Sequence, residues 1–439
     1  MTFARVTPPH ASTLALFSLA IAACGSPTGS ERGACYPNGT CDPGLACLSS
    51  VCVRPAQDAS TNDIVSSDTP ITPADVTPDA PDAGNPLCPG PETPPAGEVE
   101  LARIPSNFDS TPLLDTRVIP PSAAPDVVGA FRFICNASHL GYDDPIVFPC
   151  EPGRSHLHQF FGNTLTNSYS NYASLRSTGE STCENALNRS AYWIPAMMNG
   201  RGRVVRPDYV AIYYKRLPET ASDCMRQGTA CVPIPRGLRF VFGFNLLDPT
   251  AAPTGGGYFN CDGPTATMGH YADIVEAATH CPMGNRLGAV ISAPSCWNGR
   301  DLDSPDHRSH VVYPSYGDWG YLRCPATHPY VIPTFQLGAW YTVDDDLDRS
   351  GTWTAGVTNT WYLSSDMSTD GSMVRPGTSL HADWWGAWDD EVLNRWHTHC
   401  INQLLNCSGG DLGDGNGLRR YAGFTWDANP RVVDPPPHP

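Results

Sequence analysis

Of the 27 basic residues only Lys215 is a lysine, and no stretch of the 439-residue chain gathers positive charge into a patch. With a formal net charge of −17, that absence disfavours nucleic acid as a partner. The scarcity of lysine itself fits GC-rich codon usage better than any function. Also missing are HExxH, G-x-S-x-G, a Walker A loop and a dinucleotide-type glycine pattern. Their absence counts against zinc-helix proteases, α/β-hydrolases, NTPases and Rossmann enzymes. Long apolar runs are scarce too. The stretch at residues 11–23 (ASTLALFSLAIAA), preceded by Arg5, has the length of a signal-peptide core and is too short to span a bilayer.

What is present begins with that export signal. Residues 1–23 read as a signal peptide, and Ile21-Ala22-Ala23-Cys24 is a small-residue cleavage site ending in cysteine, the pattern of a bacterial-type lipoprotein. The expected consequence is a lipidated Cys24 holding an exported chain to the cell envelope, at the outer membrane or cell surface, with the lipid as its only membrane contact. Of 17 cysteines, setting Cys24 aside leaves 16, which can pair completely in an oxidising compartment. Cys35, Cys41, Cys47 and Cys52 fall at near-even spacing in residues 24–54 and read as a two-bridge knot; no C-x-x-C pair favours zinc there. Residues 55–101 form an acidic stalk of Pro, Thr, Asp and Ala, with nine carboxylates and no Lys or Arg between Pro55 and Glu100. The stalk carries about half of the net charge, so acidity says little about the folded part.

Residues 102–426 are long enough for a large domain, followed by a Pro-rich tail at 427–439. Short β-branched and aromatic runs recur between Gly, Pro and Asn breaks, at 131–135, 208–215, 238–244, 287–291, 310–313 and 360–363. They predict a mainly β fold, a β-sandwich-like core with long disulfide-linked loops. One helix is expected near the C-terminus, starting at Asp389-Asp390 and carrying Val392, Leu393, Trp396, Cys400, Ile401 and Leu404 on one face. Twelve cysteines, Cys88 and the eleven from Cys135 to Cys407, accompany this block. Cys224 with Cys231, and Cys400 with Cys407, are close enough to close small loops.

Seven stretches occur in a characteristic order: residues 131–163 (FRFICNASHLGYDDPIVFPCEPGRSHLHQFFGN), AYWIP (191–195), VAIYYK (210–215), PRGLRFVFG (235–243), SCWNGRDLDSPDHRSHVVYP (295–314), CPATHPYVIP (324–333) and SLHADWWGAWDDEVLNRWHTHCINQLLNC (379–407). This order resembles the domain of unknown function 1996, a family found mostly in secreted fungal proteins, often beside sugar-binding cell-wall modules. The chain departs from the family pattern at Cys150, where a Gly is usual after DPIVFP, and at Asn298, where CWDG has Asp. The Asn counts against a catalytic role at that position. The resemblance implies an extracellular domain in a carbohydrate context and brings no settled reaction with it.

Polar residues cluster in these blocks. His156 and His158, two apart in SHLH, share a face if the segment is extended. Residues 301–310 offer Asp301, Asp303, Asp306, His307 and His310, and His381-Ala382-Asp383 repeats the two-apart spacing. Three readings compete. In the first, His156, His158 and either His310 or His381 supply ligands to one divalent metal and a neighbouring Asp acts on water or a sugar hydroxyl. In the second, carboxylates among Asp144, Asp303, Asp306 and Asp383, with His307 nearby, act as acid and base on a glycosidic bond while Trp297, Trp384 and Trp385 stack on sugar. In the third, these groups are structural and the domain is a non-catalytic binder of glycan or another surface component. Asp344, Asp346 and Asp348, and Asp411, Asp414 and Asn416, alternate like calcium-loop ligands but read as acidic turns. His397 and His399 flank the apolar stripe of the last helix. The preferred expectation is an envelope domain that acts on an extracellular polysaccharide through a His/Asp-lined cleft, enzyme slightly ahead of binder.

Overall fold

The computed structural model describes residues 103–117, 128–225, 228–249, 256–316, 322–421 and 423–439, with residues 42–43 and a short hairpin near the N-terminus. In that hairpin Ala46–Leu48 pairs with Val51–Val53, Cys47 opposite Cys52. The expected signal peptide, Cys24 and the acidic stalk lie outside the described residues.

The chain is mainly β. Two antiparallel sheets face one another. The first joins β1 (Gly129–Cys135), β5 (Tyr209–Arg216), β7 (Tyr258–Asp262), β8 (Arg286–Ser292), β9 (Thr334–Thr342) and β11 (Asn406–Cys407) in the order β7-β8-β9-β5-β1-β11, with β11 alone parallel to its neighbour. The second joins β2 (Ala137–Gly141), β3 (His158–Gly162), β4 (Ala191–Pro195), β6 (Arg239–Gly243) and β10 (His381–Trp385) in the order β6-β10-β4-β3-β2. Because side chains alternate along a strand, Phe131, Phe133, Ile212, Tyr214 and Phe335 of the first sheet meet Phe161, Tyr192, Ile194, Phe240 and Trp384 of the second in one core. Phe335 lies at its centre, its ring 5.6 Å from Tyr192, 5.7 Å from Phe242 and 5.7 Å from Trp384.

The two sheets differ on their outer faces. The first leaves that face without a described covering element. The second is covered again: Phe160, Trp193, Val241 and Trp385 pack outward against Ile146 and against Tyr172 and Leu175 of helix α1 (Tyr172–Ser177). Strands β3, β4 and β10 are therefore buried at every position. Twofold burial removes the alternation by which a strand is usually read, so HQFFG, AYWIP and HADWW give no periodic signal.

Helix α2 (Ile274–Thr279) is short, and the expected C-terminal helix is α3 (Asp390–Trp396). Asp389 caps it, accepting from the N–H groups of Glu391 and Val392, and it runs on as a π-helical turn over His397–Ile401. Val392, Trp396, Cys400 and Ile401 of the anticipated stripe are buried. Leu404 instead adopts φ 58°, past the helix end. The disulfides Cys224–Cys231 and Cys400–Cys407 close the two small loops, and Cys135–Cys183, Cys261–Cys281 and Cys296–Cys324 tie loops to strands. Cys150 is also disulfide-bonded. These bridges point to an oxidising, extracytoplasmic compartment. No described helix is long and apolar enough to cross a membrane. Beyond residue 426 the chain stays on the domain, where Val432–Val433 pairs with Val204–Val205.

The tryptophans expected to stack on sugar are internal. Trp384 is in the inter-sheet core, Trp297 is fully buried with its indole N–H donated to the Asp301 carbonyl, and Trp385 lies buried beneath the Arg239 guanidinium. Replacing Trp384 with Ala should therefore cost about 3–5 kcal/mol of stability in a denaturant titration. A normal unfolding midpoint for this variant would contradict the placement.

Candidate functional site

The outer face of the second sheet holds the polar residues that its core cannot use. On β10, Ala382 and Trp384 point into the sandwich, which sends His381, Asp383 and Trp385 the other way. Asp383 pairs with Trp193 of β4 and Val241 of β6, and His158 of β3 pairs with Pro195 of β4. His158 and His381 thus come to neighbouring places on one face although 223 residues separate them. His156 joins them from the extended approach to β3. Its ring centre is 4.2 Å from that of His158 and 5.0 Å from that of His381, and the latter two are 6.0 Å apart.

The turn before β3 completes the group. Asp144 accepts the N–H groups of Ile146 (3.0 Å) and Val147 (2.9 Å) on one carboxylate oxygen, which fixes it at the head of a tight turn. The preceding carbonyl, of Asp143, accepts from Nδ1 of His158 at 3.0 Å, and the Ser379 carbonyl accepts from Nδ1 of His381 at 2.9 Å. A proton held on Nδ1 leaves the Nε2 lone pair available, the tautomer a metal ligand requires. Nε2 of His156, Nε2 of His158 and both carboxylate oxygens of Asp383 are buried with no protein partner. Buried polar atoms are usually satisfied, and four in one place form a donor set that a bound cation could engage.

Two overlapping triads have ligand atoms within 4.8 Å of one another: His156, His158 and His381, and Asp144, His158 and Asp383. The two triads share His158, so they are alternative three-ligand sets around one imidazole. Burial pushes all three imidazoles towards the neutral form, His158 down to about 3 and His381 down to about 4, with neighbouring imidazoles adding to the effect on His156 and His158. Burial raises both carboxyls, Asp383 well above the usual range, where the Asp144 charge pushes it further and Arg308 opposes. Neutral imidazoles beside carboxylates short of positive charge suit a cation, and three imidazoles favour a first-row transition ion over calcium or magnesium.

The cluster opens into a small cleft of about 50 Å3. Phe148, Phe244, Leu246 and Leu247 form apolar walls, and Asp306 and Arg308 line it too. Arg308 is anchored by donating to the carbonyls of Gly243 (3.1 Å) and Phe244 (2.9 Å).

The remaining sequence-predicted residues have other partners. His310 is not in the cluster: its Nδ1 is 2.8 Å from the Ser304 hydroxyl and its Nε2 is 2.8 Å from the Arg239 carbonyl, so neither nitrogen is left for an ion. Asp303 is bound to Arg239 at 2.8 Å and to His307 Nδ1 at 2.9 Å; burial raises its carboxyl, but these two partners carry it below its ordinary value. Asp306 accepts from the backbone of Arg308 and Ser309 and from the hydroxyls of Ser304 and Ser309, which makes it the hub of a turn. His307 adopts φ 55° in that turn, and its charge, when present, stabilises the Asp144 carboxylate. Asp144 and Asp383 are buried close together, and Asp306 lines the same cleft. Asp344 and Asp346 bind Arg431 and Arg201, and Asp414 binds Arg395.

Three contributors were not anticipated: Arg308, the cleft wall at 244–247, and the carbonyls of Asp143 and Ser379. Arg308 lay inside a stretch already singled out, DSPDHRSH. The carbonyls carry no sequence signal.

A family model described as domain of unknown function (DUF1996) matches residues 144–388, more than half of the chain. The chain belongs to the DUF1996 family. The match begins at Asp144 and runs past Asp383, so every residue of the His/Asp cluster falls inside the DUF1996 region. No curated protein and no solved structure matches the chain.

The arrangement separates the histidines by experiment. His158→Ala should abolish stoichiometric binding of a transition ion, whereas His310→Ala should keep it and lose stability. Elemental analysis of the two purified variants checks this, and equal metal content in both would contradict it.

Proposed function

We propose that this DUF1996 domain holds one divalent transition-metal ion through His156, His158 and His381, with Asp383 beside them, and acts on an extracellular polysaccharide entering the adjoining cleft. The observation that carries the reading is the convergence of unpartnered imidazole and carboxylate atoms at the end of a cleft. A bound ion of this kind supplies a Lewis acid and a water of lowered pKa. The chain's own residues do the rest. The carbonyls of Asp143 and Ser379 hold His158 and His381 in the ligand tautomer. Asp144, fixed by two backbone N–H groups, is placed to take a proton from a water or a substrate hydroxyl. The apolar walls at Phe148 and Phe244 exclude bulk water from the cluster.

Polysaccharide as the substrate class is supported by the extracytoplasmic setting, where glycans are the abundant polymers such a cleft would meet. The expected lipid at Cys24 would hold the domain at the envelope, and is proposed on the sequence alone. The metal-free reading with paired carboxylates has less support, because Asp303 is neutralised by Arg239 and Asp306 is consumed by its turn. His156 is the ligand to change in a test, since it is only partly buried and lies outside the sheet. His156→Ala should remove activity in a polysaccharide screen and lower metal content while leaving the unfolding temperature within a few degrees, roughly the effect of 1 kcal/mol or less. Wild-type activity in that variant would contradict the metal-dependent reading.

A further inference from the structure

The first sheet presents its outer face on the far side of the sandwich from the His/Asp cluster. Tyr213 of β5, Tyr258 of β7 and Trp340 of β9 are partly exposed there. Trp340 is fitted to the face in a particular way. It sits opposite Gly288 in the register, and Gly338 precedes it by two on its own strand. A Cβ at Gly288 would come within 2.7 Å of the indole carbons, and one at Gly338 within 3.3 Å of its Nε1. Glycine inside a strand weakens a sheet and is kept where something must approach closely; here it lets the indole lie down on the strands. A groove of about 500 Å3 runs beside it, lined also by Tyr209, Tyr213, Arg132, Glu184 and Trp426. Trp426 is 50% exposed and meets Tyr209 edge to face at 5.5 Å.

The charges lining this groove balance, Arg132 and Arg420 against Glu184 and Asp262, with Arg420 paired to Glu184 at 2.7 Å. The face therefore offers no net field to draw a polyanion or a polycation. Glu184 is 97% buried, since its exposure is 3%, and its second carboxylate oxygen has no protein partner; neither has Nε of Arg132. Flat aromatic surfaces interleaved with planar polar groups, one acceptor and one donor of which are unused, match a ligand with apolar ring faces and hydroxyl edges.

We propose that this face is a second binding surface, separate from the metal cluster, and that its occupant is an uncharged polysaccharide chain stacked on Trp340 and Trp426. The proposal deepens the polysaccharide reading and does not depend on the metal. It divides the domain into a face that holds the polymer and a cleft that acts on it.

Affinity electrophoresis and pull-down of the full chain test it, with cellulose, xylan, laminarin and starch as uncharged probes and alginate as the charged one. Wild type should bind at least one uncharged probe. Trp340→Ala and Trp426→Ala should each weaken that binding about tenfold or more, with metal content and unfolding temperature retained. His156→Ala should bind as wild type does, so that loss of activity without loss of binding separates the cleft from this face. Failure of wild type to bind any uncharged probe, binding of alginate alone, full affinity in both tryptophan variants, or a dimer in solution that both variants dissociate would each overturn the proposal.

Discussion

Strand β10 is buried on both faces, and the rest of the site depends on that constraint. Ala382 and Trp384 fill the sandwich, so His381 and Asp383 must point the opposite way, into a second layer that also excludes water. Polar atoms in such a place cost free energy unless something satisfies them. Backbone carbonyls satisfy one nitrogen each of His158 and His381, and backbone N–H groups satisfy one oxygen of Asp144. Both oxygens of Asp383 and Nε2 of His156 and His158 remain. A cation is a species that takes both neutral imidazole lone pairs and carboxylate charge, and each of the two triads built from these atoms could hold one.

The same principle distinguishes histidines that look alike in the sequence. His158 and His310 are both buried, and burial holds both in the neutral form. His310 spends its two nitrogens on Ser304 and Arg239 and so braces the loop at 301–310 against strand β6. His158 spends one. The difference between a structural and a ligand-ready imidazole is thus a count of partners, set by which carbonyls the neighbouring turns happen to aim.

The limits of what could be read from the chain follow from the same geometry. The mainly β class, the C-terminal helix and the two short disulfide loops were legible because each leaves a local trace. Strands β1, β5, β6 and β8 were found through their β-branched and aromatic runs, whereas β3, β4 and β10, buried twice over, have no two-residue period to detect. The SHLH spacing places His156 and His158 on one face of an extended segment, and their ring centres lie 4.2 Å apart. That His381 would join them, and His310 would not, depends on the pairing of β10 with β4 across nearly 200 residues. Tryptophans near polar motifs suggested sugar contacts, yet Trp297, Trp384 and Trp385 are core residues, and the exposed aromatic surface belongs to Trp340 and Trp426 in stretches without such motifs.

A sandwich with one bare sheet and one covered sheet gives two unlike surfaces: an open aromatic face, and a small cleft leading to buried ligands. The chemistry belongs to the second. The most direct measurement is anomalous diffraction at the metal absorption edge, from crystals of the chain grown after exposure to zinc or copper. A single peak about 2.0–2.2 Å from the Nε2 atoms of His156, His158 and His381 is the predicted result. No peak there, with those nitrogens bonded instead to protein groups, or a peak at His310, would contradict it.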